Sequence, residues 1–469
     1  MSALGQFLLV SGGIILGYYL VVNGLNLTVH AAGLLELRSD VRERSWDPMF
    51  QPFNSPFFPS VTIVVPAYNE ESVIVECVQS LLNLNYPSTE IVVVNDGSED
   101  GTLARLLETY DLEQVDAPVP FDVPSEEIHA VYRSRDARNL VVVDKDNGGR
   151  ADAVNAGIWL ADQRLFCTID ADSLIDPDGL INAVKPFLER PETTVATGGT
   201  VRAVNGCTVE NGRVQEVDLP DNRLAELQVM EYLRAFYSGR QGLDRLDALM
   251  LISGAFGVYR TDVVREIGGY ANDSVTEDFE LTMRIHRHFG EVGRDYNVEF
   301  VPEPVVWTEV PSTRGAFSRQ RTRWYRGLLD TMVRHRAMLG RRRFGAAGLI
   351  GYPAFLAAEV AGPLVEGLGY VLVLLAFLVG AADPWFVILY FGLTAGVGVL
   401  LSWFGILSEV WSFRRYDRPR QVLRLLGAGI VENFGFRQWK TAIAWRGLVQ
   451  YLRGDAQWGE MKRAGFDRE

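Results

Sequence analysis

The sequence predicts an α/β domain with a doubly wound, mostly parallel sheet, carried between apolar helices that cross a membrane. Three observations predict it: β-branched runs alternate with helix-spaced stretches in the middle of the chain, both ends hold long apolar runs, and carboxylates or glycines follow the strand-like runs. The length of 469 residues allows more than one domain, and a composition 48% hydrophobic and 22% charged excludes disordered and collagen-like classes. A mean hydropathy of +0.05 is high for so charged a chain, so its apolar residues must be concentrated. Lys and Arg number 45 against 59 Asp and Glu, a net charge of −14, which denies the chain the positive field of a general nucleic-acid binder. Three scattered cysteines, Cys77, Cys167 and Cys207, form neither a disulfide framework nor a metal quartet and suit a reducing compartment.

Taken in chain order, residues 1–35 contain no Asp, Glu, Lys or Arg, and 7–29 are enough to cross a ~30 Å hydrocarbon layer as a helix. No basic n-region precedes them, which favours a membrane helix over a cleaved signal peptide. VTIVV at 61–65 and IVVV at 91–94 have the composition of buried parallel strands, with a helix-spaced stretch at 71–82 between them. Residues 140–143 and 165–169 repeat the pattern around a helical stretch at 151–160, and such a sheet binds ligands at the carboxyl ends of its strands. Residues 111–137, with Pro118, Pro120 and Pro124, read as a loop. Residues 345–358 are apolar but short, which suits an interfacial or re-entrant helix. Residues 363–382, charged only at Glu366, and 384–408 predict a transmembrane hairpin turned at Ala382, Asp383 and Pro384. Residues 422–451 mix apolar positions with Glu432, Arg437, Lys440 and Arg446 and read as an amphipathic surface segment, with a fourth span as the alternative. Arg38, Arg42 and Arg44, Arg341 to Arg343, and Arg414, Arg415, Arg418 and Arg420 flank the spans and place these flanks in the cytoplasm. The expected organisation is a transmembrane helix over 1–36, a cytoplasmic domain over 37–340, an interfacial helix and hairpin over 341–410, and an amphipathic membrane segment over 411–469.

The strand ends carry the chemistry. Ala67, Tyr68, Asn69 and Glu70 follow the first strand, Asn95-Asp96-Gly97-Ser98 the second, and Asp170-Ala171-Asp172 the fourth. A lone Asp such as Asp96 reads equally as a turn or cap residue. Asp170 and Asp172 can turn toward one centre, where two carboxylates repel unless a cation or proton neutralises them. Mg²⁺ or Mn²⁺ completed by a substrate diphosphate does so with few protein ligands. Lys145, Gly148, Gly149 and Arg150 sit at a strand-to-helix junction, where backbone N–H groups and the helix dipole receive phosphate. Ser253 and Gly254 open a segment that permits close backbone approach, and Thr276-Glu277-Asp278 begins a helical run in which acidic residues also serve as caps. Gln320-Arg321-Thr322-Arg323-Trp324 puts cations beside a Trp on a helix heading toward the membrane, and residues 228–236 read as an amphipathic helix at its interface.

This ordered series resembles the processive, membrane-embedded family 2 glycosyltransferases, the group of cellulose, chitin, hyaluronan and poly-N-acetylglucosamine synthases, over about residues 58 to 330. Within it the chain is most similar to bacterial poly-N-acetylglucosamine synthase-like enzymes. The resemblance implies a GT-A fold and an inverting, metal-dependent transferase that extends a polysaccharide from a UDP-sugar and couples synthesis to export. By resemblance Ala67, Tyr68, Glu70 and Asp96 contact the uridine, Lys145 and Gly149 line the nucleotide-sugar path, Asp170 faces the nucleotide and donor sugar, and Asp172 coordinates the Mg²⁺ or Mn²⁺. Asp278, with Glu277 and Thr276, supplies the general base, and Gln320, Arg323 and Trp324, with Ser253 and Gly254, hold the acceptor end and the diphosphate. Arg150 stands where many relatives carry Lys, a departure that keeps the charge. The implied partners are a UDP-sugar, a growing polysaccharide or lipid-linked acceptor and the lipid bilayer of the plasma (inner) membrane, with no nucleic acid; about three spans make a thin channel, which calls for further re-entrant segments, a small accessory membrane subunit or association between copies. Two other readings stand beside it: transfer of a single sugar to a lipid carrier, and a binding-only sensor, against which the presence of both Asp172 and Asp278 counts.

Overall fold

The computed structural model describes residues 3–46, 58–116, 125–137 and 139–454. Pro118, Pro120, Pro124, the side chains of Arg42 and Arg44, and residues 455–469 of the amphipathic segment lie outside the described residues. Helix α1 (Ala3–Trp46) is followed by β1 (Val61–Ala67), α2 (Ile74–Leu82), β2 (Thr89–Asp96), α3 (Thr102–Thr109), β3 (Leu112–Val115), β4 (Ile128–Ser134) and β5 (Leu140–Lys145). Then come α4 (Arg150–Leu160), β6 (Leu165–Ile169), β7 (Ser173–Ile175), α5 (Gly179–Glu189), β8 (Thr194–Ala203) and the small hairpin β9 (Thr208–Glu210) and β10 (Arg213–Glu216). Helices α6 (Arg223–Arg234) and α7 (Gln241–Asp244) precede β11 (Phe256–Arg260), α8 (Thr261–Glu266), α9 (Glu277–Val292) and β12 (Asn297–Thr308). Helices α10 (Arg314–Arg334), α11 (Tyr352–Phe355), α12 (Gly362–Leu378), α13 (Pro384–Ser412), α14 (Pro419–Val431) and α15 (Arg437–Arg453) follow.

The chain divides into two compact units, one drawn from Met1–Asp40, Asp221–Met250 and Pro311–Gly459, the other from Val41–Pro220 and Leu251–Val310. In the second unit, ten strands among the described residues form one sheet in the order β3-β4-β5-β2-β1-β6-β11-β8-β12-β7. The centre, β5-β2-β1-β6, is parallel, as its buried β-branched runs predict. Helix α4 crosses behind β1 at Gly157, where a Cβ would meet Val64 Cγ1 at 2.4 Å. The sheet widens through antiparallel β11 on one side and antiparallel β4 and β3 on the other. Residues 111–137, expected as a loop, therefore contribute two strands: β4 is an edge ribbon whose pairing supplies hydrogen bonds without a strong apolar run.

In the first unit, three helices among the described residues are long and apolar enough to cross a membrane: Gly5–Arg38, Ala347–Leu378 and Pro384–Ser412. The separate interfacial helix expected at 345–358 is instead continuous with the following span, joined through wide π-helical turns at Ala347–Gly351 and Leu356–Ala361. Asp383 caps α13, its carboxylate accepting from Phe386 N at 2.9 Å, at the expected hairpin turn. The expected segment at 422–451 forms α14 and α15 around a break at Phe434 and Gly435, where Gly435 has φ +98°.

Among the described residues, several charged side chains inside this unit are paired. Arg437 grips Glu366 through Nε at 2.7 Å and Nη2 at 3.1 Å, the fork-to-carboxylate geometry that makes a buried charge tolerable, and the Tyr370 hydroxyl also donates to Glu366. Glu432 accepts from Arg234 at 2.9 Å, Lys440 at 3.2 Å and Ser402 at 3.1 Å, while Glu231 accepts from Arg321 at 2.7 Å and Lys440 at 3.1 Å. Burial alone would raise the Glu432 carboxyl, but Arg234 and Lys440 outweigh it and push its pKa down to about 2.

A carboxyl lowered in the folded state stabilises the fold above its unfolded pKa of ~4.3 and loses that contribution as pH falls toward its folded value. Thermal unfolding of the detergent-solubilised protein should therefore lose stability progressively between about pH 4.5 and pH 2. Glu432→Gln should begin less stable at pH 6 and show a shallower acid slope; an unchanged slope would refute the assignment.

Candidate active site

In the second unit the parallel strands reverse their order of addition between β1 and β6, so the loops leaving these neighbours diverge and open a crevice at their carboxyl ends. Ala67 ends β1 buried, and Tyr68 beside it is 39% exposed at the rim. Asn69 takes a left-handed conformation at φ +56°, and its side chain accepts from Glu99 N at 2.8 Å and Asp100 N at 3.3 Å. In return Ser98 Oγ accepts from Asn69 N at 3.1 Å and Thr102 Oγ1 from Glu70 N at 2.9 Å, so the loops after β1 and β2 hold each other.

Lys145 ends β5 with its side chain wholly buried, 2.7 Å from Asp96 Oδ1 and 2.5 Å from Asp152 Oδ1. Burial would lower the ammonium's pKa, but its hydrogen bonds to Asp152 and Asp96 outweigh that and raise it above the ordinary lysine range. Asp96 also accepts from Gly148 N at 3.0 Å and Gly149 N at 2.8 Å. The glycines are required: a Cβ on Gly148 would sit 2.4 Å from Asp152 Oδ1, and Gly149 has φ +88°. Asp96 and Lys145, which the resemblance places against the uridine and along the nucleotide-sugar path, are hydrogen-bonded to each other here. Both side chains are turned into the protein, where they fix the loop over 145–149.

The carboxylates after β6 differ in their surroundings. Asp172 is buried, with Ser173 Oγ at 3.3 Å and Thr308 Oγ1 at 3.4 Å from its Oδ1. Asp170 Oδ1 lies 2.8 Å from both Nε and Nη2 of Arg150. The same guanidinium donates to Glu277 Oε1 through Nη1 at 2.7 Å and to Gly254 O through Nη2 at 2.5 Å. Burial would lower the Arg150 pKa, but Asp170 and Glu277 outweigh it and hold it well above the ordinary arginine value. Asp278, in the first turn of α9, accepts from Gly254 N at 2.7 Å through Oδ2 and from Phe279 N at 2.8 Å through Oδ1. Ser253 O accepts from Phe256 N at 3.0 Å, and Thr276 O accepts from Glu280 N at 3.0 Å as the backbone cap of α9.

These carboxylates make one electronegative patch. Burial pushes the Cys77 thiol well up, and Asp172, Glu70 and Asp170 push it further; its Sγ lies 3.9 Å from Asp170 O. Among the described residues no group of three or more His, Cys, Asp or Glu is arranged to hold a metal. The Asp170 and Asp172 pair nonetheless supplies hard carboxylate oxygens, one buried and one at the crevice, and fits a divalent ion whose remaining ligands come from a diphosphate and water.

The structure thus brings Ala67, Tyr68, Glu70, Asp96, Lys145, Gly149, Asp170, Asp172, Ser253, Gly254, Thr276, Glu277 and Asp278 into the second unit. Gln320, Arg323 and Trp324 lie in the first unit, on α10, and there Arg321 stacks over the Trp324 ring at 4.2 Å and the Phe317 ring at 5.1 Å. Sequence reasoning missed the weight of Arg150, Asp152 and Asn155. Asn155 accepts from Tyr270 N at 2.7 Å and donates to Tyr270 O at 3.0 Å, clamping the segment that leads into α9. A signal existed for Arg150: a fork-shaped cation replaces a point charge beside two acidic motifs.

The profile of the family described as Glycosyltransferase like family 2 matches residues 59–327. The chain is 25% identical over 277 residues to a poly-beta-1,6-N-acetyl-D-glucosamine synthase of Staphylococcus epidermidis, covering 58% of this chain and 56% of that protein. It is 26% identical over 275 residues to the synthase of the same name from Staphylococcus aureus, with the same coverage. The chain therefore spans about half the length of the curated relatives it matches. Among solved structures, a mannosyltransferase, PcManGT from Pyrobaculum calidifontis in complex with GDP-Man and Mn2+, superimposes with a TM-score of 0.52 at 19% identity, covering 88% of this chain and 99% of that one. That likeness is one of fold.

Removing the ammonium from a buried pair leaves charge without a partner, at a cost of ~3–5 kcal/mol. Lys145→Met should lower stability by about that amount in chemical denaturation, whereas Lys185→Met, at an exposed pair with Glu189, should change it by less than ~0.5 kcal/mol. Equal effects at the two sites would refute the role given to Lys145.

Proposed function

The chain belongs to glycosyltransferase family 2, and on that premise we propose that it is an inverting, metal-dependent enzyme that extends a polysaccharide from a UDP-sugar, first of all UDP-N-acetylglucosamine. The observation that carries this reading is the Arg150 fork, which gathers Asp170 and the Thr276 to Asp278 turn around one guanidinium. The carboxylate of a donor-side motif and the turn that bears the base candidate are then parts of one assembly. The names of the staphylococcal relatives support N-acetylglucosamine as the sugar and a polymer as the product.

In this reading Asp278 takes the proton from the acceptor hydroxyl as its oxygen attacks the anomeric carbon, and the UDP diphosphate departs from the opposite face. Two backbone N–H donors fix the carboxylate, so its orientation is set before substrate arrives. Asp170 and Asp172 would hold Mg²⁺ or Mn²⁺, which when bound supplies positive charge to the leaving diphosphate. Ala67, Tyr68 and Glu70 after β1 receive the nucleotide, with Asp96 and Lys145 acting by shaping the loop that presents Gly149. Gln320, Arg323 and Trp324 receive the acceptor end, the indole face matching the apolar C–H surface of a pyranose. The three apolar helices anchor the protein in the plasma (inner) membrane, with Arg-rich flanks and the glycosyltransferase domain on the cytoplasmic side. The spans, with an accessory membrane subunit, guide the polymer outward.

Purified protein in lipid with Mg²⁺ or Mn²⁺, given UDP-N-acetylglucosamine, UDP-glucose or UDP-glucuronate in turn, should release UDP and form high-molecular-weight product from one of them. Release that requires added polyprenyl phosphate and stops after one sugar would overturn the polymerase reading. Asp278→Asn should lower transfer by at least ~100-fold while leaving UDP affinity within about threefold. Activity within roughly tenfold of wild type would remove Asp278 as the base.

A further inference from the structure

We propose that Arg150 is a positioning residue that couples divalent-ion binding at Asp170 to the placement of Asp278, an inference that rests on the donor-site reading above. The coupling is mechanical on one side. Nη2 of Arg150 donates to Gly254 O at 2.5 Å, and the amide of the same residue donates to Asp278 Oδ2 at 2.7 Å. A Cβ on Gly254 would lie 3.0 Å from Asp278 Oδ2 and 3.4 Å from Arg150 Nη2, so residue 254 is tightly held between the two groups. Nη1 holds Glu277, the residue before Asp278, at 2.7 Å. The guanidinium therefore grips the Asp278 turn from two directions.

On the other side the coupling is electrostatic. Nε and Nη2 both lie 2.8 Å from Asp170 Oδ1, so guanidinium and metal claim the same negative charge. A divalent ion on Asp170 weakens its pull on Arg150, and the cation's hold shifts toward Glu277 and Gly254. Linkage makes this reciprocal: if the metal loosens Arg150 from Asp170, then Arg150 lowers the affinity of the empty site for metal. Free metal is thereby bound weakly until a diphosphate adds its own charge, and the Asp278 turn is drawn tight as the donor complex forms. Asn155 holds Tyr270 to the same helix, α4, so the segment leading to α9 moves with Arg150 rather than independently of it.

The test separates charge from shape. In the full-length protein without nucleotide, Mn²⁺ alone is titrated by electron paramagnetic resonance, and kcat and donor KM are measured separately. Arg150→Met should bind Mn²⁺ roughly tenfold more tightly than wild type, because a competing cation is gone, while kcat falls by ~100-fold. Arg150→Lys, which restores a point charge without the fork, should return Mn²⁺ affinity to within about twofold of wild type and recover only part of kcat. Loss of structure alone would weaken metal binding and kcat together, the opposite sign on the first readout. Mn²⁺ binding to Arg150→Met that is no tighter than wild type, or a wild-type kcat in that variant, overturns the proposal. Should Arg150→Met fail to fold, Arg150→Lys still decides it: wild-type kcat at unchanged Mn²⁺ affinity overturns the coupling, and reduced kcat supports it. A wild-type protein that binds Mn²⁺ but releases UDP from none of the three donors would overturn the proposed function, while the Mn²⁺ titrations would still read the competition at Asp170.

Discussion

One ammonium group sealed between two carboxylates sets the shape of the candidate site. Lys145 ends a parallel strand, and its charge is satisfied only if Asp96 arrives from the neighbouring strand and Asp152 from the helix that follows. That requirement pulls the intervening glycine loop down, lets Gly148 and Gly149 donate to Asp96, and delivers Arg150 to the first position of α4 facing the crevice. A buried triad adds little net stability over an apolar core of the same shape, but each member is costly to remove singly, so the arrangement specifies one loop geometry.

The site is thus built in two layers. Beneath the surface, Asp96, Lys145 and Asp152 neutralise one another and fix backbone. Above them Arg150 ties Asp170 to Glu277 and Gly254, and the Gly254 amide in turn holds Asp278. Buried carboxylates are neutralised in the same way in the unit that carries the long apolar helices. Among the described residues Glu366, Glu231 and Glu432 are each held by Arg or Lys, and that pairing is what makes a buried charge tolerable.

How much could be read in advance differs by element. The parallel centre of the sheet was legible because buried parallel strands are β-branched and continuous, and α2 and α4 because helical spacing lay between them. The antiparallel additions were not: β4 exposes one face, and β8 carries glycines that pack against Ile252 and Val305 instead of an apolar run. The continuity of the second span was hidden because Pro353 and Pro363 suggest breaks, yet each follows directly on a wide π-helical turn, which makes room for the ring inside the helix.

By itself the sequence determined the fold class, the apolar segments and the residue types at each strand end, since these depend on periodicity and local composition. Only the tertiary structure decided what those residues do to one another. Asp96 and Asp170 look alike in sequence, each an Asp at the end of a strand, yet one is consumed by a lysine and two amides while the other shares a guanidinium with a turn more than a hundred residues away. Such pairings are set by which loops the sheet order makes neighbours, and that information resides in the packing of distant segments, not in any one of them.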